Sequence, residues 1–404
     1  MSTQSDVAAT QPALRIGGLL LLVLIGLNLR PFLTSLGPVL DLVRSDTGLD
    51  YRAAAILTTL PFVLMGLLAF LGGGLVHRFG EQPVLLGALL VLAAGCGARL
   101  EVGSGAGLIL TAILTGAGVA TVQALMPGVA KRWFSDRIAL AMGLYSAALV
   151  GGGALGALVS PALAAATSSW RWGLAVWAFP ALAAVLLWFW QAPPVPLQEA
   201  ASARMSVRGF VRNRRAWLLA VYFGLANSGY ASLVAWLPSF YRDLGLAAQQ
   251  SGNLLAWMAL FQAAAALLMP LWVRGSSDRR RGLYTVMLLQ ALGFAGFVLA
   301  PLQAPLLWIA LAGGGLGGCF SLSLILSLDH LPDSRAAGAL TAFVQGLGFL
   351  ITATGPWLVG ALLDGGGDFT SAWGLHGCLA VAMLLVSMRF DPVGYPRAMR
   401  VPVA

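Results

Sequence analysis

The stretch IGGLLLLVLIGLNLRPFLTSLGPVLD, from Ile16 to Asp41, decides the fold. It exceeds the ~20 mostly apolar residues that a helix needs to cross the hydrocarbon core of a bilayer. Short of the Asp41 that ends it, it holds one full charge, Arg30, followed directly by Pro31. Arg30 lies about 15 residues into the run, roughly 22 Å along a helix rising about 1.5 Å per residue, and so near mid-membrane. A guanidinium there costs several kcal/mol or more unless it faces an aqueous cavity or a partner. Pro31 removes a backbone hydrogen bond and bends the helix at that point.

Working outward, the whole chain follows the same pattern. Of its 404 residues 59% are hydrophobic and 10% charged, against about 25% charged in an ordinary soluble domain. Such a chain cannot cover itself with polar surface, so its solvent is lipid. Twelve stretches are predicted to span, at about 15–41, 52–76, 83–101, 106–130, 138–165, 171–192, 216–241, 250–273, 283–302, 305–328, 338–363 and 370–390. The fold class is an all-α membrane protein of 12 transmembrane helices with both termini cytoplasmic. A polar segment, 193–215, divides it into an N-terminal six-helix half (1–192) and a C-terminal half with a short cytoplasmic tail (216–404). That linker carries an amphipathic stretch suited to the membrane surface. The short polar N-terminus lacks a signal-peptide layout, its apolar run continuing as a spanning helix.

Charge placement agrees with this count. With the N-terminus inside, the inner segments carry 18 Lys and Arg and the outer segments 5, Arg30 being the remaining one, as the positive-inside rule requires. The net charge of +9 therefore belongs to inner loops and implies no nucleic acid. Lys131 stands against 23 arginines, a bias that suggests a GC-rich bacterial genome and hence the bacterial inner membrane. Cys96, Cys319 and Cys378 lie in apolar stretches, with neither disulfide nor metal-ligand spacing. No cofactor or metal is expected, and monomer is the default.

The two halves correspond at an offset of about 200 residues: Pro38 with Pro238, Arg44 with Arg242, Arg78 with Arg279. The loop Gly73-Gly74-Leu75-Val76-His77-Arg78-Phe79-Gly80 resembles the signature of the major facilitator transporters, with His77 in place of its aspartate and Glu81-Gln82 in place of its basic pair. The second copy, around Asp278 and Arg279, keeps the acid and the base. The resemblance implies a gating role for His77, Arg78, Asp278 and Arg279. It also implies two six-helix halves that rock about a central site. Helix 1, with Gly26-Leu27-Asn28-Leu29-Arg30-Pro31, resembles the cyanate and 2-nitroimidazole transporter family, as do Ala235-Trp236-Leu237-Pro238-Ser239 and Gln345-Gly346-Leu347-Gly348. What this implies is secondary transport of a small anionic or electronegative solute by alternating access.

The residues themselves favour an anion. Asp41, Asp329 and Asp364 sit near helix ends and the other acids in loops or tails. No carboxylate is predicted at mid-membrane to neutralise Arg30, whose planar fork suits oxyanions. The structural alternative is that Arg30 bonds backbone carbonyls. A polar shell is expected from Asn28 and Thr34 on helix 1 and from Asn227, Ser228 and Tyr230 at the repeat-related place on helix 7. Gln123, Tyr145, Gln262 and Gln345 lie deep on helices 4, 5, 8 and 11. Each of these can equally bond between helices. His376 is a candidate proton carrier, with packing as its alternative. The competing function is a proton-coupled exporter of cationic drugs, which requires buried acids. An enzyme is not expected, because phosphate-loop, HExxH and GxSxG motifs are missing from the sequence. A receptor is disfavoured by the shortness of every loop.

Overall fold

The computed structural model describes residues 17–49, 51–70, 72–191, 207–246, 248–364 and 366–399. Residues 193–206 of the expected linker lie outside these. The architecture is all-α. The helices are α1 (17–28), α2 (Pro31–Thr34), α3 (Leu36–Thr47), α4 (Tyr51–Ala69), α5 (Gly72–Phe79), α6 (Glu81–Ala98), α7 (Gly105–Trp133), α8 (Ile138–Thr167), α9 (Trp170–Ala175), α10 (Ala178–Gln191), α11 (Arg214–Asp243), α12 (Ala248–Trp272), α13 (Arg280–Leu299), α14 (Pro305–Asp329), α15 (Ser334–Asp364), α16 (Phe369–Ser387) and α17 (Tyr395–Ala398). Eleven helical segments among the described residues are long and apolar enough to cross a membrane. The stretch expected at 52–76 is helical, as α4 and α5, and is not one of those eleven.

The first expected helix departs from a single rod. It breaks at Leu29 and Arg30 and resumes at Pro31, which occupies the first helical position of α2. Proline fits there because its missing N–H would be unpaired in any case. After a further turn at Ser35 the chain continues as α3 to Thr47, beyond the expected end near residue 41. Arg44, read from the sequence as part of an outer loop, therefore lies within a helix.

Packing rests on small residues. A methyl group added to Gly152 of α8 would lie 2.1 Å from the Leu27 carbonyl oxygen, and one on Gly156 would lie 2.8 Å from the Cα of Pro31. These glycines, one turn apart, let the broken helix press its backbone onto α8. Gly317 of α14 does the same against α12, where an added methyl would lie 2.1 Å from the Gln262 carbonyl oxygen. The segments up to α10 pack mainly among themselves, as do α11 to α16. The two sets meet through α4 with α15, α7 with α15, α8 with α12 and α8 with α14.

Candidate functional site

A cavity lies where the two sets of helices meet. It is lined by Arg30, Phe62, Val150, Asn227, Tyr230, Gln262, Leu316, Gly317, Phe320, Phe349 and Thr352, and encloses about 20 Å³. That is room for one water, so any larger solute enters by parting the walls. The helix break sets Arg30 here: its backbone carbonyl caps the short α2 by accepting from Leu33 and Thr34 at 3.0 and 3.1 Å. Its side chain leaves past the glycine face of α8, where a methyl added to Gly153 would lie 3.2 Å from its Cβ.

Arg30 is 5% exposed, and its Nη1 is buried with no hydrogen-bond partner among the described residues. Its Cζ sits 5.3 Å from the centre of the Tyr230 ring, a cation–π contact that offsets part of the cost of burial. No acidic side chain lines the cavity among the described residues. Asp329, half-buried at the end of α14, is paired with Arg279 at 2.8 Å. The side chains of Asp41 and Asp364 lie outside the description.

Of the ten residues expected around the solute, the structure brings Arg30, Asn227, Tyr230 and Gln262 to the cavity. Asn28 instead donates to the Leu24 and Pro180 carbonyls at 2.8 and 3.1 Å, tying α1 to α10. Thr34 donates to the Gly153 carbonyl at 2.7 Å, tying α2 to α8. Ser228 turns back to the Leu225 carbonyl at 2.7 Å. Gln123, Tyr145 and Gln345 are buried off the lining, and each keeps a side-chain atom without a hydrogen-bond partner among the described residues. Gln345 reaches across to the Gln123 carbonyl at 3.3 Å. His376 shares a 2.8 Å hydrogen bond with Ser232 and stacks on Phe294 away from the cavity.

The expected gating residues divide differently. Arg78 is exposed over its neighbour Phe79, and the side chain of His77 lies outside the description. Asp278 pairs with Arg280, whose guanidinium holds its carboxyl below the usual range. Arg279 pairs with Asp329. Neither of these two pairs joins the two sets of helices. Lys131 does: its Nζ, on α7, donates to the Leu328 and Leu331 carbonyls at the end of α14. Beside it the backbones of Gly128 and Gly338 touch, an added methyl on Gly338 falling 3.0 Å from the Gly128 Cα. A lysine on a helix C-terminus satisfies carbonyls that the helix leaves open and favours its negative pole. Sequence reasoning used Lys131 to count inner charges and to mark an arginine-rich bias, not as a contact. Its signal was its rarity. The aromatic walls Phe62, Phe320 and Phe349 carried no signal, since a phenylalanine in an apolar helix reads alike toward lipid or cavity.

Comparison with known proteins adds identity to this geometry. Residues 20–353 match the sequence pattern of the Major Facilitator Superfamily. The chain is 46% identical over 382 residues to the cyanate transport protein CynX of Escherichia coli K12, covering 94% of this chain and 98% of that protein. It is 29% identical over 371 residues to the 2-nitroimidazole transporter of the same organism, covering 92% and 93%. Among solved structures, the proton:xylose symporter XylE superposes with a TM-score of 0.76 at 16% identity, covering 94% of this chain and 96% of that one. The outward conformation of FucP superposes with a TM-score of 0.72 at 11% identity, covering 94% and 99%. The chain is thus a multi-pass transporter of the bacterial inner membrane, moving a small solute by alternating access and not catalysing a reaction. It belongs to the Major Facilitator Superfamily and is closely related to the cyanate and 2-nitroimidazole transporters.

Proposed function

We propose that this protein carries a small anionic or strongly electronegative solute, held by Arg30 at the centre of twelve spanning helices arranged as two six-helix halves with both termini in the cytoplasm. The observation that carries this reading is Arg30 lining the cavity with its buried Nη1 unpartnered, and no acid in the lining, among the described residues. A charge buried at this cost is stabilised when a solute of opposite sign or a negative dipole enters. The names of two relatives, a cyanate and a 2-nitroimidazole transporter, fall in that chemical range. Arg30 and Tyr230 stand 200 positions apart and face each other across the cavity, which supports a duplicated half around one site. The loop pairs at Asp278 and Arg279 brace their own half, and Lys131 holds the halves together at the inner end. A cation as cargo is disfavoured, because Arg30 repels it and the lining offers no acid to exchange against a proton.

Uptake into proteoliposomes tests this. Cyanate, 2-nitroimidazole and small carboxylates are expected to enter with wild-type protein and to fall to the empty-liposome level with Arg30→Gln. Equal uptake by both proteins would assign Arg30 to structure alone.

A further inference from the structure

The cavity holds more than the cation. Asn227 lines it, and its Nδ2 donates to the Phe223 carbonyl at 2.7 Å. That bond fixes which way the amide lies, for turning it over would set two carbonyl oxygens against each other at hydrogen-bond distance. Its Oδ1 is therefore an obligate acceptor, and it takes no hydrogen bond from any described residue. A second acceptor stands on the neighbouring helix: the Oε1 of Gln262 is buried without a partner among the described residues. Gln262 is held at its backbone by the contact of Gly317. Asn227 is buried, and an acceptor left unpaired in such a place costs about 1–3 kcal/mol. A solute that displaces the single water the cavity can hold must therefore replace the donor that the water supplies. Asn227 and Tyr230 are three residues apart on one face of α11, and Arg30 lies over the Tyr230 ring.

Resting on the reading of Arg30 as the solute anchor, we propose that the transported solute is a small, flat molecule with two unlike ends. One is an acceptor edge, anionic or nitro-like, taken by Arg30. The other is an N–H or O–H group that donates to Asn227 Oδ1. A solute with acceptors only, such as cyanate or nitrate, satisfies Arg30 and leaves the Asn227 carbonyl unpaired. The site is built for the bifunctional solute.

Ligand-dependent thermal stabilisation of the purified protein tests this with probes matched in size. Glycolate and propionate share a carboxylate and shape, but only glycolate has a donor at its other end. Among nitroimidazoles, 1-methyl-2-nitroimidazole has lost the ring N–H, while 4-methyl-2-nitroimidazole keeps it at equal bulk. Wild-type protein is expected to bind the donor-bearing member of at least one set about tenfold or more tightly. Asn227→Leu is expected to abolish that preference, and Arg30→Gln to abolish binding of both members. Because the matched probes are compared on wild type, a poorly folding Asn227 variant does not weaken the test. Equal binding of matched probes by wild type, or binding of cyanate but of neither set, overturns the donor requirement while leaving Arg30 as the anchor. Equal binding of the donor-bearing probes by wild type and Arg30→Gln overturns the anchor itself.

Discussion

At Arg30 the account is decided by a buried residue whose Nη1 finds no hydrogen-bond partner among the described residues. Arg30→Lys keeps the charge and loses the planar fork, so solute affinity is expected to fall by about tenfold or more with the protein still folded, as isothermal titration with 2-nitroimidazole or cyanate would show. Gly152→Ala acts on the scaffold instead. The new methyl would meet the Leu27 carbonyl at 2.1 Å, and overpacking of this kind costs about 1–3 kcal/mol. Gly151, whose Cβ position is open, supplies the control: Gly151→Ala is expected to leave the melting temperature unchanged, and Gly152→Ala to lower it by several degrees. The charge at mid-membrane was legible from the sequence, because nothing else in an apolar run is so costly. The direction of the polar side chains was not. Asn28 and Thr34 flank Arg30 on the chain, yet each finds a backbone carbonyl on a neighbouring helix, an outcome equal in energy to facing a cavity and invisible without the partner helix.

Among the elements, the break at Leu29–Arg30 and the contact of α7 with α14 govern how the molecule works. Pro31 predicted a bend; the structure shows a full interruption at Leu29–Arg30, with the backbone on either side pressed against the glycines of α8. Lys131 caps α14 across the two sets of helices. Lys131→Met removes the cap and leaves the Leu328 and Leu331 carbonyls without it, so this end is expected to open more often. Hydrogen exchange of the amides around residues 329–336 is expected to rise several-fold. Unchanged exchange there would show that Gly128 and Gly338 suffice to hold the end closed. The helix ends were legible to within a few residues, whereas the faces they present were not, because helices that are apolar all round carry no periodic signal.

For the whole molecule, length and hydrophobicity made the membrane fold legible from the first pass. The cavity between the two sets of helices was less so, since it depends on which helices cross. One contact outside the spans has a pH dependence that follows from its surroundings. His330 accepts from the Arg215 Nε at 3.1 Å, shares a 2.7 Å bond with the Leu326 carbonyl and stacks on Tyr395 at 3.8 Å. Burial pushes its pKa down to about 4. The unfolded chain, with an ordinary histidine near 6.5, binds the proton first, so the contact is fully stable above that pH and weakens as pH falls toward 4. Proteolysis at the tail around residues 392–399 is expected to increase over that window and not between pH 7 and 8. The central claim is most directly tested by the melting temperature of the purified protein with and without solute, on wild type and on Arg30→Gln. A ligand that binds only the folded state raises it by an amount set by concentration over Kd. The account predicts that an anion or nitro-aromatic raises the melting temperature of wild type and not of Arg30→Gln, and that cationic drugs raise neither. Stabilisation of both proteins alike by a cation would contradict it.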